Sequence, residues 1–188
     1  MNTAFVLSGI DFVLIILYTI MDNLKEQFGQ IYDQYVEKIY RFVCLKVNSQ
    51  EVAEDITSKV FLNGWQSYSK NPSVQNMNAF LYRIARNSVI DYYRESDRTK
   101  LVSLESVAEF ADAGTSVHDR AALSSDLEEV KFAIGKLKKD HQDVIILHYL
   151  EDMSIQEISE VLDKSLVSVR VTLHRGLKAL KEQMIQEV

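Results

Sequence analysis

The sequence predicts an all-α protein of two small helical domains joined by a flexible linker, the second domain carrying a helix-turn-helix. Three observations predict it. One proline and six glycines in 188 residues leave few breakers, which favours long helices over many-turned β architectures. Apolar residues recur at spacings of three and four through most of the chain, the helical period. That period lapses between about residues 98 and 126, where serines, a glycine and scattered acids mark a linker.

Taken in order, the chain begins with a puzzle. Residues 4–21, from Ala4 to Met21, are almost wholly apolar and broken by Asp11. Their length is near the minimum for a membrane span. They lack the basic lead-in and small-residue cleavage site of a signal peptide. Met21 stands directly before a polar helix start, DNLKEQF. Three readings stay open for 1–21: an extension outside the functional unit, a membrane anchor, or a helix packed on the body.

The first domain is expected over 22–98. An amphipathic helix covers 24–47, with Phe28, Ile31, Tyr35, Ile39, Phe42 and Val43 on its inner side. Ser49 offers an N-cap for a second helix at 50–67. Residues 68–76 form a polar loop holding the only proline, and a third helix spans 77–97. After the linker at 99–126, the second domain occupies 127–188. Its helices are expected at about 127–137, 140–151, 154–162 and 165–185. The lone Cys44 excludes an internal disulfide and reads as a buried structural thiol in a reducing, cytoplasmic setting.

The C-terminal pair of helices is the most specific element. Ser154 caps the first, and Glu157 three residues on completes a capping box. Asp163-Lys164-Ser165 makes the short turn that a helix-turn-helix requires, with Ser165 capping the next helix. At about 100° per residue, Leu166, Val169, Leu173, Gly176, Leu177 and Leu180 fall on one side as core. Val167, Val171, His174 and Lys178 lie opposite, flanked by Ser168, Arg170 and Arg175. Such a stripe suits a DNA major groove: Arg170 can read guanine or hold phosphate, and the valines can touch thymine methyls.

The helix at 77–97 carries a second polar face. Arg83, Arg86, Asn87, Ile90 and Arg94 share it, while Leu81, Ile84, Ala85, Ser88 and Tyr92 point away. Basic residues interleaved with Asn near aromatics suit single-stranded nucleic acid. Net charge argues the other way, at −6. The excess is local: 22–100 holds 11 Lys/Arg against 10 acids, 101–126 one against five, and 127–188 nine against 11. Phosphate neutralisation supplies most non-specific affinity, so intrinsic DNA binding should be weak and a partner should hold the protein on DNA.

The segments AEDITSKVFLNGW at 53–65, FLYRIARNSVIDYYR at 80–94 and the helix-turn-helix, in this order, resemble the extracytoplasmic-function (ECF) group of bacterial sigma factors. The likeness covers 24–98 and 127–182. It implies a non-enzymatic subunit that binds core RNA polymerase and directs it to promoters. The first domain would grip the β′ clamp coiled coil and open the −10 element. The second would bind the −35 element as duplex DNA and the β flap. Matched to those motifs, Glu54, Asp55, Phe61 and Trp65 are the core-binding positions, with plain core an equal reading for Phe61 and Trp65. Arg83, Arg86, Asn87 and Arg94 lie along the non-template strand, and the loop Tyr68–Asn78 captures a flipped base. The resemblance also implies an anti-sigma partner.

Some positions depart from the family pattern. Lys59 stands where an acid often follows, Gln142 and His148 stand where Arg is usual, and Val171-Thr172 replaces Ser-Arg. Each change in the second domain removes charge or polarity from the DNA side. No catalytic site is expected, no cofactor and no metal: the four histidines lack partners at ligand spacing. Two rival readings are a stand-alone helix-turn-helix regulator and a membrane-tethered interaction protein. The Arg/Asn face argues against the first, and residues 4–21 motivate the second.

Overall fold

Ser49 begins the second helix because its extended backbone turns its hydroxyl back to accept from the Val52 N–H. That cap fixes where the chain turns after the first helix, and the other elements follow similar local logic. The computed structural model describes residues 9–104 and 132–185. Its helices are α1 (Gly9–Cys44), α2 (Gln50–Tyr68) and α3 (Met77–Leu104), then α4 (Lys139–Ile145), α5 (Ile155–Leu162) and α6 (Leu166–Ile185). A helical turn at 132–135 precedes α4, and α4 runs on into a π-helical turn, Ile146–Leu150.

Helices α1 to α3 bury Ile39, Phe42 and Val43 against Ala53, Ile56 and Val60 and against Leu81, Tyr82 and Ala85. The Phe42 and Tyr82 rings meet edge-on at 5.3 Å, a geometry that adds to area burial. Each large buried side chain contributes about 1.5–3 kcal/mol of transfer free energy. Gly64 lets α2 approach closely: a Cβ there would come within 3.3 Å of both Leu81 and Phe28.

Helices α4 to α6 build their own interior from Val144, Ile145, Ile146, Leu147, Met153, Ile158, Val161, Leu162, Val169 and Leu173. Gly176 of α6 sits over α4, where a Cβ would meet Ile145 at 3.2 Å and His141 at 3.3 Å. The two interiors join in one apolar cluster, because α3 lies against α5 and the end of α1 reaches the π turn.

Several boundaries differ from expectation for physical reasons. Helix α1 starts at Gly9 rather than near 24, since nothing between Asp11 and Asp22 breaks it. Along its first turns Leu17, Tyr18, Ile20 and Met21 are exposed rather than packed on the body. No helix among the described residues is long and apolar enough to cross a membrane. Helix α3 continues to Leu104, past the expected end at 97. The expected linker beyond 104 and the helix start at 127–131 lie outside the described residues. The expected helix at 140–151 contains the π turn, in which the Glu151 N–H donates to the Ile146 carbonyl at 3.0 Å. That five-residue step widens the helix, and Asp152 then closes it in the left-handed region at φ 53°.

Candidate nucleic-acid interface

The helix-turn-helix is assembled by its caps. The Ser154 side chain accepts from the Glu157 N–H at 3.2 Å, and Glu157 accepts in turn from the Ser154 N–H at 2.9 Å. The turn works because Asp163 takes a left-handed conformation, φ 52° and ψ 48°, one of the residue types that tolerates it. Around it, the Ser159 hydroxyl donates to the Lys164 carbonyl at 2.5 Å, and the Lys164 N–H returns to the Ser159 carbonyl at 3.1 Å. Ser165 then accepts from the Ser168 N–H at 3.2 Å and starts α6. Lys164 also donates to Asp140 at 2.6 Å, which pins the turn to α4. That bond holds the Asp140 carboxyl below its ordinary range.

Helix α6 sets its two faces as its periodicity dictates, with two corrections. Val169, Leu173 and Gly176 are buried and Leu180 half-buried. Leu166 and Leu177, expected in the core, are 42% and 37% exposed. Leu166 sits in the first turn before α6 meets its neighbours, and Leu177 lies at the edge of the buried stripe. The opposite face is open: Val167 is 67% exposed, and Arg170, Val171, His174, Arg175 and Lys178 are exposed while Ser168 is half-buried. Among the described residues, no ion pair holds Arg170, Arg175 or Lys178. This is a convex helix presenting cations and small apolar groups, the shape and chemistry that a major groove accepts.

The α3 face is arranged differently. Arg83, Asn87 and Arg94 are exposed, Ile90 is half-buried, and Leu81, Ala85 and Val89 are buried on the other side. Arg86 is not open. Its Nε donates to Asp143 Oδ2 at 2.7 Å, and its guanidinium also lies 4.0 Å from Asp140. The same Asp143 accepts from the Lys46 ammonium. Arg83 donates through Nε and Nη2 to the Glu160 carbonyl at 3.1 and 2.6 Å. Arg41 forks onto Glu151 at 3.0 and 2.9 Å, and the Tyr82 hydroxyl donates to the same carboxylate. Burial, together with that bond to Glu151, raises the Tyr82 hydroxyl far above the ordinary phenol range.

The other candidates fall in two groups. Glu54 and Asp55 are exposed on α2. Phe61 is buried, its ring 4.8 Å edge-on from Tyr32, and Trp65 is half-buried with its ring 5.5 Å from Phe28. In this conformation the two aromatics hold up the α2 surface rather than forming it. Gln142 and His148 have structural partners. Gln142 donates to the Leu137 carbonyl at 2.9 Å, and His148 Nδ1 lies 2.9 Å from the Met153 carbonyl. Cys44 is half-buried rather than enclosed.

Sequence reasoning missed Asp143 and Glu151, the acids that face α1 and α3. A signal existed: both flank the apolar run VIILHYL, so both lie beside a buried face where an acid must find a cation.

An α3 face of arginines and asparagine followed by an exposed reader helix defines a two-part DNA-binding protein. Two family models match in that order: "Sigma-70 region 2" over residues 31–99 and "Sigma-70, region 4" over 127–180. The chain is 30% identical to the RNA polymerase sigma factor YlaC of Bacillus subtilis, covering 85% of this chain and 93% of that one. It is 28% identical to the ECF sigma factor SigW of the same organism, covering 85% and 90%. In fold it is similar to sigma factor RpoE of Bartonella quintana, solved with the anti-sigma factor NepR. That match has a TM-score of 0.70 and 19% identity, over 85% of this chain and 97% of the other. The chain belongs to the ECF-type RNA polymerase sigma factors, non-enzymatic proteins that direct transcription initiation. The region 2 match over the N-terminal half displaces the stand-alone regulator reading.

Proposed function

We propose that the two helical groups divide promoter recognition between them. The 22–98 domain binds core RNA polymerase at the β′ clamp coiled coil through the α2 surface carrying Glu54 and Asp55, with Phe61 and Trp65 beneath it. It then holds the melted −10 strand on Arg83, Arg86, Asn87 and Arg94. The 127–188 domain, beyond the linker at 99–126, reads the −35 duplex through Val167, Ser168, Arg170, Val171, His174, Arg175 and Lys178, and docks on the β flap. The observation that carries this is the pairing, in one chain, of an open reader helix with a second, Arg-bearing face suited to single strands. A net charge of −6 makes the polymerase the main source of affinity for DNA.

An anti-sigma protein holds the chain in check in the cytoplasm. Supporting this, two solved structures of like fold carry such partners: RpoE with NepR, and CnrH with the cytosolic domain of CnrY. In vitro transcription with purified core polymerase on a promoter library tests the whole reading, and failure to bind core ends it. Charge reversal at Arg83 and Arg86 should impair melting more than duplex binding. Equal loss of both contradicts the division of labour.

A further inference from the structure

One carboxylate, Asp143, sits between two cations that belong to the other helical group. Its side chain is 3% exposed, and it accepts from Lys46 at the end of α1 and from Arg86 in the middle of α3. Eight residues on, across the π turn, the Glu151 side chain is 1% exposed and accepts from Arg41 and Tyr82. Arg83, between them on α3, is turned onto a backbone carbonyl of α5. Asn76 and Asn78, from the loop and start of α3, donate to Glu160 at 3.1 Å and Glu157 at 3.4 Å. The face read as single-strand binding is thus covered by acids and carbonyls of the other group.

The chemistry of this cover resembles that of the ligand it excludes. A carboxylate offers Arg the same planar pair of oxygen acceptors that a phosphate does. Lys46 and Arg86 together match one anion closely spaced between them, as they would match a strand phosphate. Buried ion pairs are also poor glue. Most of the attraction is offset by lost hydration, so such pairs suit a switch better than a permanent joint. When the groups part, Lys46, Arg86 and Asp143 each regain water, and the cost of opening stays small. Arg41, at 53% exposure, gives the Glu151 end a solvent-reachable edge at which opening can begin.

We propose that Asp143, helped by Glu151, is an intramolecular clasp that occupies Lys46 and Arg86 in the free protein and withholds the α3 face from single-stranded DNA until the two helical groups part. The inference rests on the reading of Arg83 and Arg86 as strand-binding residues. It adds a control that needs no second protein: the chain masks one of its DNA faces with its own acids while leaving the other open.

The test uses the full chain and a fluorescein-labelled oligothymidine, read by anisotropy at low salt, beside hydrogen exchange over residues 42–46 and 86–93. Asp143→Asn should raise exchange there and tighten oligothymidine binding by roughly tenfold or more, because affinity scales with the open fraction. Adding Arg86→Gln should remove the gain. Since Asp143→Asn leaves two cations buried together, Glu151→Gln serves as a second variant: it loosens the same face where Arg41 already meets water. It should give a smaller gain with helicity by circular dichroism unchanged. Exchange and affinity that stay at wild-type levels in both variants overturn the clasp and leave the promoter reading standing. Raised exchange with no gain in binding overturns the clasp by a different route, because the strand-binding reading beneath it has then failed.

Discussion

The two basic faces of this molecule differ in what they meet. On α6, Arg170, Arg175 and Lys178 stand on an exposed helix with no described acid paired to them. On α3, Arg86 is engaged by Asp143 and Arg83 by a carbonyl of α5. The local sequences do not foretell this, since both stripes alternate cations with small or polar residues. The difference comes from packing. Helix α6 turns its apolar side to α4 and leaves the other side free. Helix α3 is flanked by α1 and α2 on one side and by α5 on the other. A duplex reader can be built from one helix and its support. A strand-binding face that lies between domains is available only when the domains move.

The largest expected effect comes from breaking the support of the open face. Ile158 is fully buried beneath the reader helix. Ile158→Ala should cost about 2–5 kcal/mol, the usual range for such a cavity. Thermal melting would fall, and binding to a −35 duplex by the polymerase complex would be lost. Association with core polymerase through the α2 surface should survive at a temperature where helices α1 to α3 remain folded. Loss of core binding in parallel with duplex binding would show that the two groups do not act separately.

A smaller effect separates contact from support. Arg170→Ala changes an exposed side chain, so melting should stay within about 0.5 kcal/mol of wild type. Duplex affinity of the polymerase complex should fall by about 1–3 kcal/mol if Arg170 makes a bidentate base contact. A loss that is uniform across promoter variants would instead mark Arg170 as a phosphate contact. Either outcome sharpens the contrast with α3, where the same substitution at Arg86 also leaves Asp143 with one cation fewer.

How much of this was legible in the sequence follows from range. Ser49, Ser154 and Ser165 cap their helices as their spacing implies, because a cap is decided within four residues. Val169 and Leu173 are buried and Val167 exposed, as the helical period requires. Leu166 and Leu177 escaped burial because a wheel gives direction and not distance from a neighbouring helix. The π turn at Ile146–Leu150 was invisible, since nothing in ILHYL departs from α-helical preference. Asp143 was the deeper miss. Its meaning depends on Lys46 and Arg86, which lie 97 and 57 residues away. Periodicity along one helix cannot show what a second helix brings to it. The expected strand-binding residues were identified as a set, but their engagement was not foreseeable.

The smallest effect is a pH dependence at the start of α5, and its sign follows from the capping box. The Ser154 N–H, its hydroxyl and Asn78 all donate to Glu157, and they hold its carboxyl below the ordinary value of 4.5. Because the folded value lies below the unfolded one, this stabilisation is complete above the ordinary carboxylate range. It is lost as pH falls through the folded value, when a protonated Glu157 can no longer accept from all three donors. Asp140, lowered chiefly by Lys164, acts in the same direction and the same window. Melting temperature should therefore decline on acidification below about pH 5, and Glu157→Gln should flatten that decline without abolishing it. Gln keeps the reciprocal bond to the Ser154 N–H, so the variant removes the titration and spares most of the cap. Adding Lys164→Met should flatten the remainder, since it takes away the ammonium that holds Asp140 ionised. An unchanged slope in Glu157→Gln would move the acid sensitivity elsewhere, to the carboxylates buried between the two helical groups, whose protonation would then part the faces that differ most in this protein.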